Sequence, residues 1–134
     1  MPHVKRIHHV AMLVEDLDQA LAFWRDGLGL AMSDLQDVPA EQSQVAFLPT
    51  GESEVELIRP TSDDSGVAKF LAKRGPGMHH LCVEVDDLPA MLARLKEQGI
   101  RLINEEPRTT NEGRQYAFVH PESTNGVLVE LYQL

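Results

Sequence analysis

A chain of 134 residues, 43% hydrophobic and 25% charged, fits one domain or two very small modules and has the composition of a globular protein, which excludes a disordered one. Its formal net charge of −9 leaves no basic surface to gather nucleic-acid phosphates, so no DNA or RNA partner is expected and an anionic ligand needs a local site. No apolar run approaches the roughly 20 residues that span a bilayer, and Met1-Pro2-His3-Val4-Lys5-Arg6 carries no apolar signal core, so a cytoplasmic protein without a membrane partner is expected.

In chain order, the first element is a strand in which Val10, Met12 and Val14 alternate with Ala11 and Leu13. Parity puts His9 with Ala11 and Leu13, and His8 with Val10. Asp16 or Asp18 then caps a helix whose Leu17, Leu21, Trp24 and Leu28 recur near helical spacing, and Gly27 and Gly29 end it. Three β-rich segments follow at about 30–35, 43–49 and 53–59. Asp64 or Ser65 opens a short linker helix through Val67, Phe70 and Leu71, stopped by Gly75-Pro76-Gly77. The next strand alternates Leu81, Val83 and Val85 with Cys82 and Glu84, and Cys82, the sole cysteine, reads as buried filler. A second helix has Asp87 at its N-cap, Pro89 in its first turn, a stripe of Leu88, Met91, Leu92 and Leu95, and Gly99 as its stop. Three further β-rich segments lie at about 100–104, 114–120 and 126–133.

That order repeats because the sequence does. The stretch from Ile7 to Leu17 returns from Met78 to Leu88 with His-His, Val, Asp and Leu in register, an offset of 71 residues. Val55-Glu56-Leu57 returns as Val129-Glu130-Leu131 at an offset of 74. The chain therefore reads as one α+β domain of two tandem βαβββ modules, about 4–62 and 77–134, joined by a helical linker of about 63–76.

The repeat singles out four side chains. His9 and His80 lie on the strand face opposite the apolar residues that would meet the helices, and Glu56 and Glu130 each sit between two such apolar neighbours. One such histidine is ordinarily a packed core residue. Two histidines and two carboxylates recurring in register inside apolar strands are not explained by packing, since a buried unpaired carboxylate is costly. Two neutral imidazoles and two carboxylates make a formally neutral site for Zn, Ni, Co, Mn or Fe, with open positions at which a Lewis acid holds vicinal oxygens. His8 and His79 recur too, but their parity turns them toward the helices and leaves them structural. Phe23 and Trp24 read as core or interface aromatics, and Glu15-Asp16 and Glu105-Glu106 as solvated loops.

With these residues in place, the chain resembles the vicinal-oxygen-chelate superfamily, whose paired βαβββ modules form a concave mixed sheet around a metal. Within it, Ile7-His8-His9-Val10-Ala11, Val67-Ala68-Lys69-Phe70-Leu71, Gly77-Met78-His79-His80-Leu81, and His120-Pro121 leading to Gly126-Val127-Leu128-Val129-Glu130-Leu131 look like methylmalonyl-CoA epimerases. That resemblance implies His9, Glu56, His80 and Glu130 as metal ligands. The expected cofactor is one divalent ion per chain, cobalt first, with Mn, Ni, Zn or Mg as alternatives. The implied reaction is inversion at C2 of an acyl-CoA thioester through an enolate. Some epimerases carry a glutamate base on the third strand of the first module, where this chain has Gln44. Because a carboxamide cannot serve as that base, Glu56 and Glu130 are expected to share the proton transfers, with Gln44 left as a substrate contact. Lys69, Lys73, Arg74 or Arg114 would meet the CoA phosphates, and open sheet edges imply a homodimer. Competing readings are a lactoylglutathione lyase with a similar ligand quartet, an extradiol dioxygenase, which leaves Glu56 without a role, and a metal-free binding protein of the bleomycin-resistance kind.

Overall fold

A computed structural model describes residues 1–110 and 112–134. The elements are β1 (Val4–Leu13), α1 (Leu17–Leu21), β2 (Asp34–Val38), β3 (Ser43–Pro49), β4 (Glu54–Pro60), α2 (Gly66–Arg74), β5 (Gly77–Val85), α3 (Leu88–Glu97), β6 (Arg108–Thr109), β7 (Gln115–Val119) and β8 (Val129–Gln133). Strand, helix and three strands thus occur twice in order, with α2 between the sets, as the α+β duplication requires. Internal packing divides the chain into a continuous unit, Val10–His79, and a split unit made of Met1–His9 and His80–Leu134. Among the described residues no helix is long and apolar enough to cross a membrane.

In the continuous unit the strand order is β2-β3-β4 followed by the later half of β1. β3 pairs antiparallel with both neighbours, and Phe47 faces Glu56 across β3 and β4. Two apolar clusters follow from the alternation. Ala46, Leu48 and Leu57 pack with Leu17 and Leu21 of α1 and with Met12, Val14 and Val55. Ala11, Leu13, Val45 and Ile58 pack with Phe47 and with Val67, Phe70 and Leu71 of α2. Met12 and Val14 therefore face the helix, as their parity predicts. Asp16, rather than Asp18, caps α1 by accepting from the Gln19 N–H at 3.0 Å, and Ser65, rather than Asp64, caps α2 by accepting from Ala68 N–H at 3.0 Å.

The first helix does not hold α geometry to Gly27. From Ala22 it widens into a π-helical turn, with the Leu28 N–H reaching the Phe23 carbonyl at 2.9 Å. Trp24 stays on the apolar cluster, while Leu28 leaves the expected stripe and is exposed. β2 also starts later than the 30–35 window, because its partner sets it: Val38 closes on Ser43 through a tight turn in which Gln42 is left-handed at φ 51°.

The split unit orders the early half of β1 with β5-β8-β7-β6. Its sheet is mixed, since β8 runs parallel to β5 and antiparallel to β7. Leu88 and Leu92 of α3 bury against Val85, Ala117, Val119 and Leu131, with Val83 and Val129 at the margin. Each such Leu contributes about 1.5–3 kcal/mol of burial. Asp87 caps α3 by accepting from Ala90 N–H, and Gln133 Oε1 accepts from Leu88 N–H at 2.6 Å. The strand expected at about 100–104 does not form. Leu102 makes a lone bridge to Val119, and the edge of the sheet is instead taken by β6, paired with β7.

Candidate metal centre

Within the split unit, one sheet face collects the polar residues that the other face cannot accept. Val129 and Leu131 face α3, so Glu130 points away from it, and Cys82 is its register partner on β5. His80 precedes Cys82 by two residues and shares its face, with His9 entering from β1. All three groups are buried, at 5% exposure for His9, 8% for His80 and 9% for Glu130. His9 Nε2 lies 3.1 Å from His80 Nε2, and Glu130 Oε1 lies 3.3 Å and 3.2 Å from the two nitrogens.

With the ring protons on Nδ1, two imidazole nitrogens and a carboxylate oxygen at mutual distances of 3.1–3.3 Å turn three lone pairs toward one point. For ligand bonds of about 2.1 Å, adjacent ligand atoms are about 3.0 Å apart in an octahedron and about 3.4 Å apart in a tetrahedron. The observed edges fall between these values, so His9, His80 and Glu130 fit a divalent ion with nitrogen and oxygen preferences. Burial alone would raise the Glu130 carboxyl, but hydrogen bonds from the His80 and His9 rings outweigh it and bring the pKa down to about 2. The carboxylate is accordingly ionised at neutral pH.

Aromatic rings wall this cluster. Phe118, opposite Glu130 on β7, sets its ring edge on His80 at 5.7 Å, and Tyr116 stacks edge-on to Phe118 at 6.1 Å. Tyr132, two residues beyond Glu130, lies 6.4 Å from the His9 ring and 4.9 Å from that of His8. Burial raises the Tyr132 phenol, opposed by a hydrogen bond from Arg114. These aromatics were not singled out from sequence, although alternation from Glu130 reaches Tyr132 directly.

His8 departs from its expected orientation. Strict alternation turns it toward the helix face, yet its Nδ1 lies 2.8 Å from His9 Nδ1 and its ring packs on Tyr132. The bend gives the His8 ring a hydrogen-bond partner in His9 and a ring contact on Tyr132. His79 packs its ring on Phe70 of α2, at 4.7 Å. Cys82 is fully buried, as expected.

Glu56 and Gln44 belong to the continuous unit. Glu56 is half-buried on β4, on the face opposite Val55 and Leu57. Gln44 sits across from Arg59, whose Nη2 donates to its Oε1 at 3.0 Å. Alternation along β3 puts Gln44 on the face of Ala46 and Leu48, while Val45 and Phe47 occupy the face of Glu56. Of the candidate phosphate-binding cations, Arg74 lies over the Phe70 ring at 5.3 Å and Arg114 pairs with Glu112 at 3.7 Å.

A duplicated strand-helix-strands order with a His, His, Glu centre defines a class, and the comparison with known proteins agrees. The sequence profile of the Glyoxalase/Bleomycin resistance protein/Dioxygenase superfamily matches residues 8–118, and the chain belongs to that superfamily. Human mitochondrial methylmalonyl-CoA epimerase is 40% identical over 129 residues, which cover 96% of this chain and 73% of that protein. The ethylmalonyl-CoA/methylmalonyl-CoA epimerase of Cereibacter sphaeroides is 39% identical over 133 residues, covering 98% of this chain and 99% of that one. A solved methylmalonyl-CoA epimerase in complex with methylmalonyl-CoA and NH4+ matches with a TM-score of 0.86 at 32% identity, over 98% of this chain and 95% of the other. Within the superfamily the chain belongs with the methylmalonyl-CoA epimerases, as its sequence resemblance implied.

Proposed function

We propose that this protein interconverts the (R) and (S) epimers of methylmalonyl-CoA by moving a proton at C2. The observation that carries the reading is the convergence of His9, His80 and Glu130 at 3.1–3.3 Å in a chain 40% identical to methylmalonyl-CoA epimerases. His9, His80 and Glu130 would hold the divalent ion, with Glu56 as fourth ligand and cobalt as the first candidate. Support for Glu56 comes from the duplication, since it fills in the continuous unit the strand position that Glu130 fills in the split one. When bound, the ion supplies Lewis acidity that lowers the cost of negative charge on the thioester and carboxylate oxygens of the substrate.

The protein's own groups carry the proton. Glu130, ionised and buried beside His9 and His80, is the proton acceptor in this proposal. Removal of the C2 proton leaves an enolate, and delivery of a proton to the opposite face completes the inversion. Glu56 is the second base in this proposal, because the β3 residues on its face, Val45 and Phe47, carry no ionisable group. Gln44, expected as a substrate contact, is left out of this proposal, because it lies on the α1 face of β3, opposite Glu56, with its carbonyl engaged by Arg59. Exclusion of water falls to the aromatic residues Tyr116, Phe118 and Tyr132, which keep bulk solvent from the ionised centre. A cytoplasmic homodimer completes the proposal, supported by the exposed edge strand β2.

Proton exchange in deuterated water tests the reading directly. Protein stripped of metal and reloaded with cobalt should place deuterium at C2 of methylmalonyl-CoA and equilibrate the epimers, whereas stripped protein should do neither. Absence of exchange with every divalent ion would overturn the proposal, and turnover of the methylglyoxal–glutathione hemithioacetal instead would assign a lyase.

A further inference from the structure

Adjacent strand residues normally project to opposite faces, yet His8 and His9 meet through their Nδ1 atoms at 2.8 Å, with ring centroids 5.0 Å apart and planes at 78°. The other nitrogen of His9, Nε2, is the atom directed at His80 Nε2 and Glu130 Oε1. A neutral imidazole carries one proton. If Nε2 offers its lone pair to an ion, that proton belongs on Nδ1, where it needs an acceptor.

We propose that His8 is a positioning residue for the metal centre: its Nδ1 accepts the His9 Nδ1–H and holds His9 in the one tautomer and ring orientation that present Nε2 to the ion. The inference rests on reading His9 as a ligand. His8 must then carry its own proton on Nε2, so a single hydrogen bond sets both tautomers. The His8 ring is itself braced, packed at 4.9 Å on Tyr132, whose hydroxyl is tied to Arg114. Its counterpart in the repeat has a different setting, since the His79 ring packs on Phe70 within the continuous unit. The first histidine of the doublet is therefore not a generic packing residue that both copies use alike.

Two substitutions separate acceptor from filler. His8→Phe keeps an aromatic ring against Tyr132 and removes the acceptor, whereas His8→Asn keeps an acceptor oxygen near the place of Nδ1 and discards the ring. With cobalt titrated into apoprotein and read by its visible absorbance, His8→Phe should weaken binding by roughly 10–100-fold, the usual effect of losing such a partner. His8→Asn should bind nearly as tightly as the parent. In nitrogen-15-labelled parent protein loaded with zinc, a scalar coupling across the N–H···N bond should connect the two Nδ1 atoms. Equal cobalt affinity in His8→Phe and parent, or a His9 Nδ1 without a proton in the zinc form, would overturn the positioning role. A parent protein that binds neither ion would instead remove His9 as a ligand, and the role of His8 with it.

Discussion

In the proposed mechanism Glu130 is both ligand and base, and its substitution separates these duties from packing. Its side chain is buried against two imidazoles, and Glu130→Gln keeps its size while removing the charge. Exchange at C2 should fall by roughly 10²–10⁴-fold, the range for loss of a general acid–base group, with the fold retained by circular dichroism. Cys82 offers a contrasting test, because its thiol is fully buried on the same sheet face. A thiol reagent should label it only as fast as the protein unfolds, and rapid labelling of native protein would contradict that burial. At this scale the sequence was legible where alternation is regular: Val129 and Leu131 on one side dictate Glu130 on the other. It was illegible at His8, where a hydrogen bond to its own neighbour overrides strand parity. No periodicity in one strand reveals a contact between consecutive side chains.

Among the elements, α3 binds the split unit together. Leu92 is essentially inaccessible and meets Val85, Ala117, Val119 and Leu131, so Leu92→Ala should cost about 2–5 kcal/mol in denaturant unfolding. Asp87→Ala should cost about 1 kcal/mol, since the Gln133 side chain still satisfies Leu88 N–H. The cap and the apolar stripe of this helix could both be read in advance, because both are local signals. β2 and the absent strand near 100–104 could not. Whether an extended segment joins a sheet depends on the partner edge, and β7 gives its edge to Arg108–Thr109 while Leu102 keeps a single bridge. The π-helical turn at Ala22–Gly27 escaped for a related reason: one extra residue per turn leaves Trp24 on the core but shifts Leu28 off it.

For the whole molecule, charge and ion binding set how stability responds to conditions. Glu84, buried at 4% exposure, accepts from Arg6 Nε at 2.7 Å and pairs with Lys5 at 3.3 Å. The Arg6 hydrogen bond holds its carboxyl below the usual range against the opposing effect of burial, with Lys5 assisting. A lowered native value means that the unfolded chain takes up the proton first. The resulting stabilisation is full above the unfolded carboxylate value of about 4.3 and is lost as pH falls through the lower native one. Glu84→Gln should remove part of the acid-side slope in a melting-temperature series, leaving the neutral plateau lower. Cobalt at about 100 times its dissociation constant should add about 2.7 kcal/mol, which a chelator reverses.

The centre is assembled from segments that are strangers along the chain. His9 and His80 are 71 residues apart, and the unit that holds them is made from Met1–His9 and His80–Leu134, with another compact unit encoded in between. No short stretch of this polypeptide can grip an ion in the His9, His80, Glu130 arrangement before the N-terminal segment has been returned to β5. Closure over such a span carries an entropy cost that must be met before the contacts form. An ion held as proposed depends on that closure, so adding it to folded protein should slow unfolding, which stopped-flow unfolding with and without the ion would read.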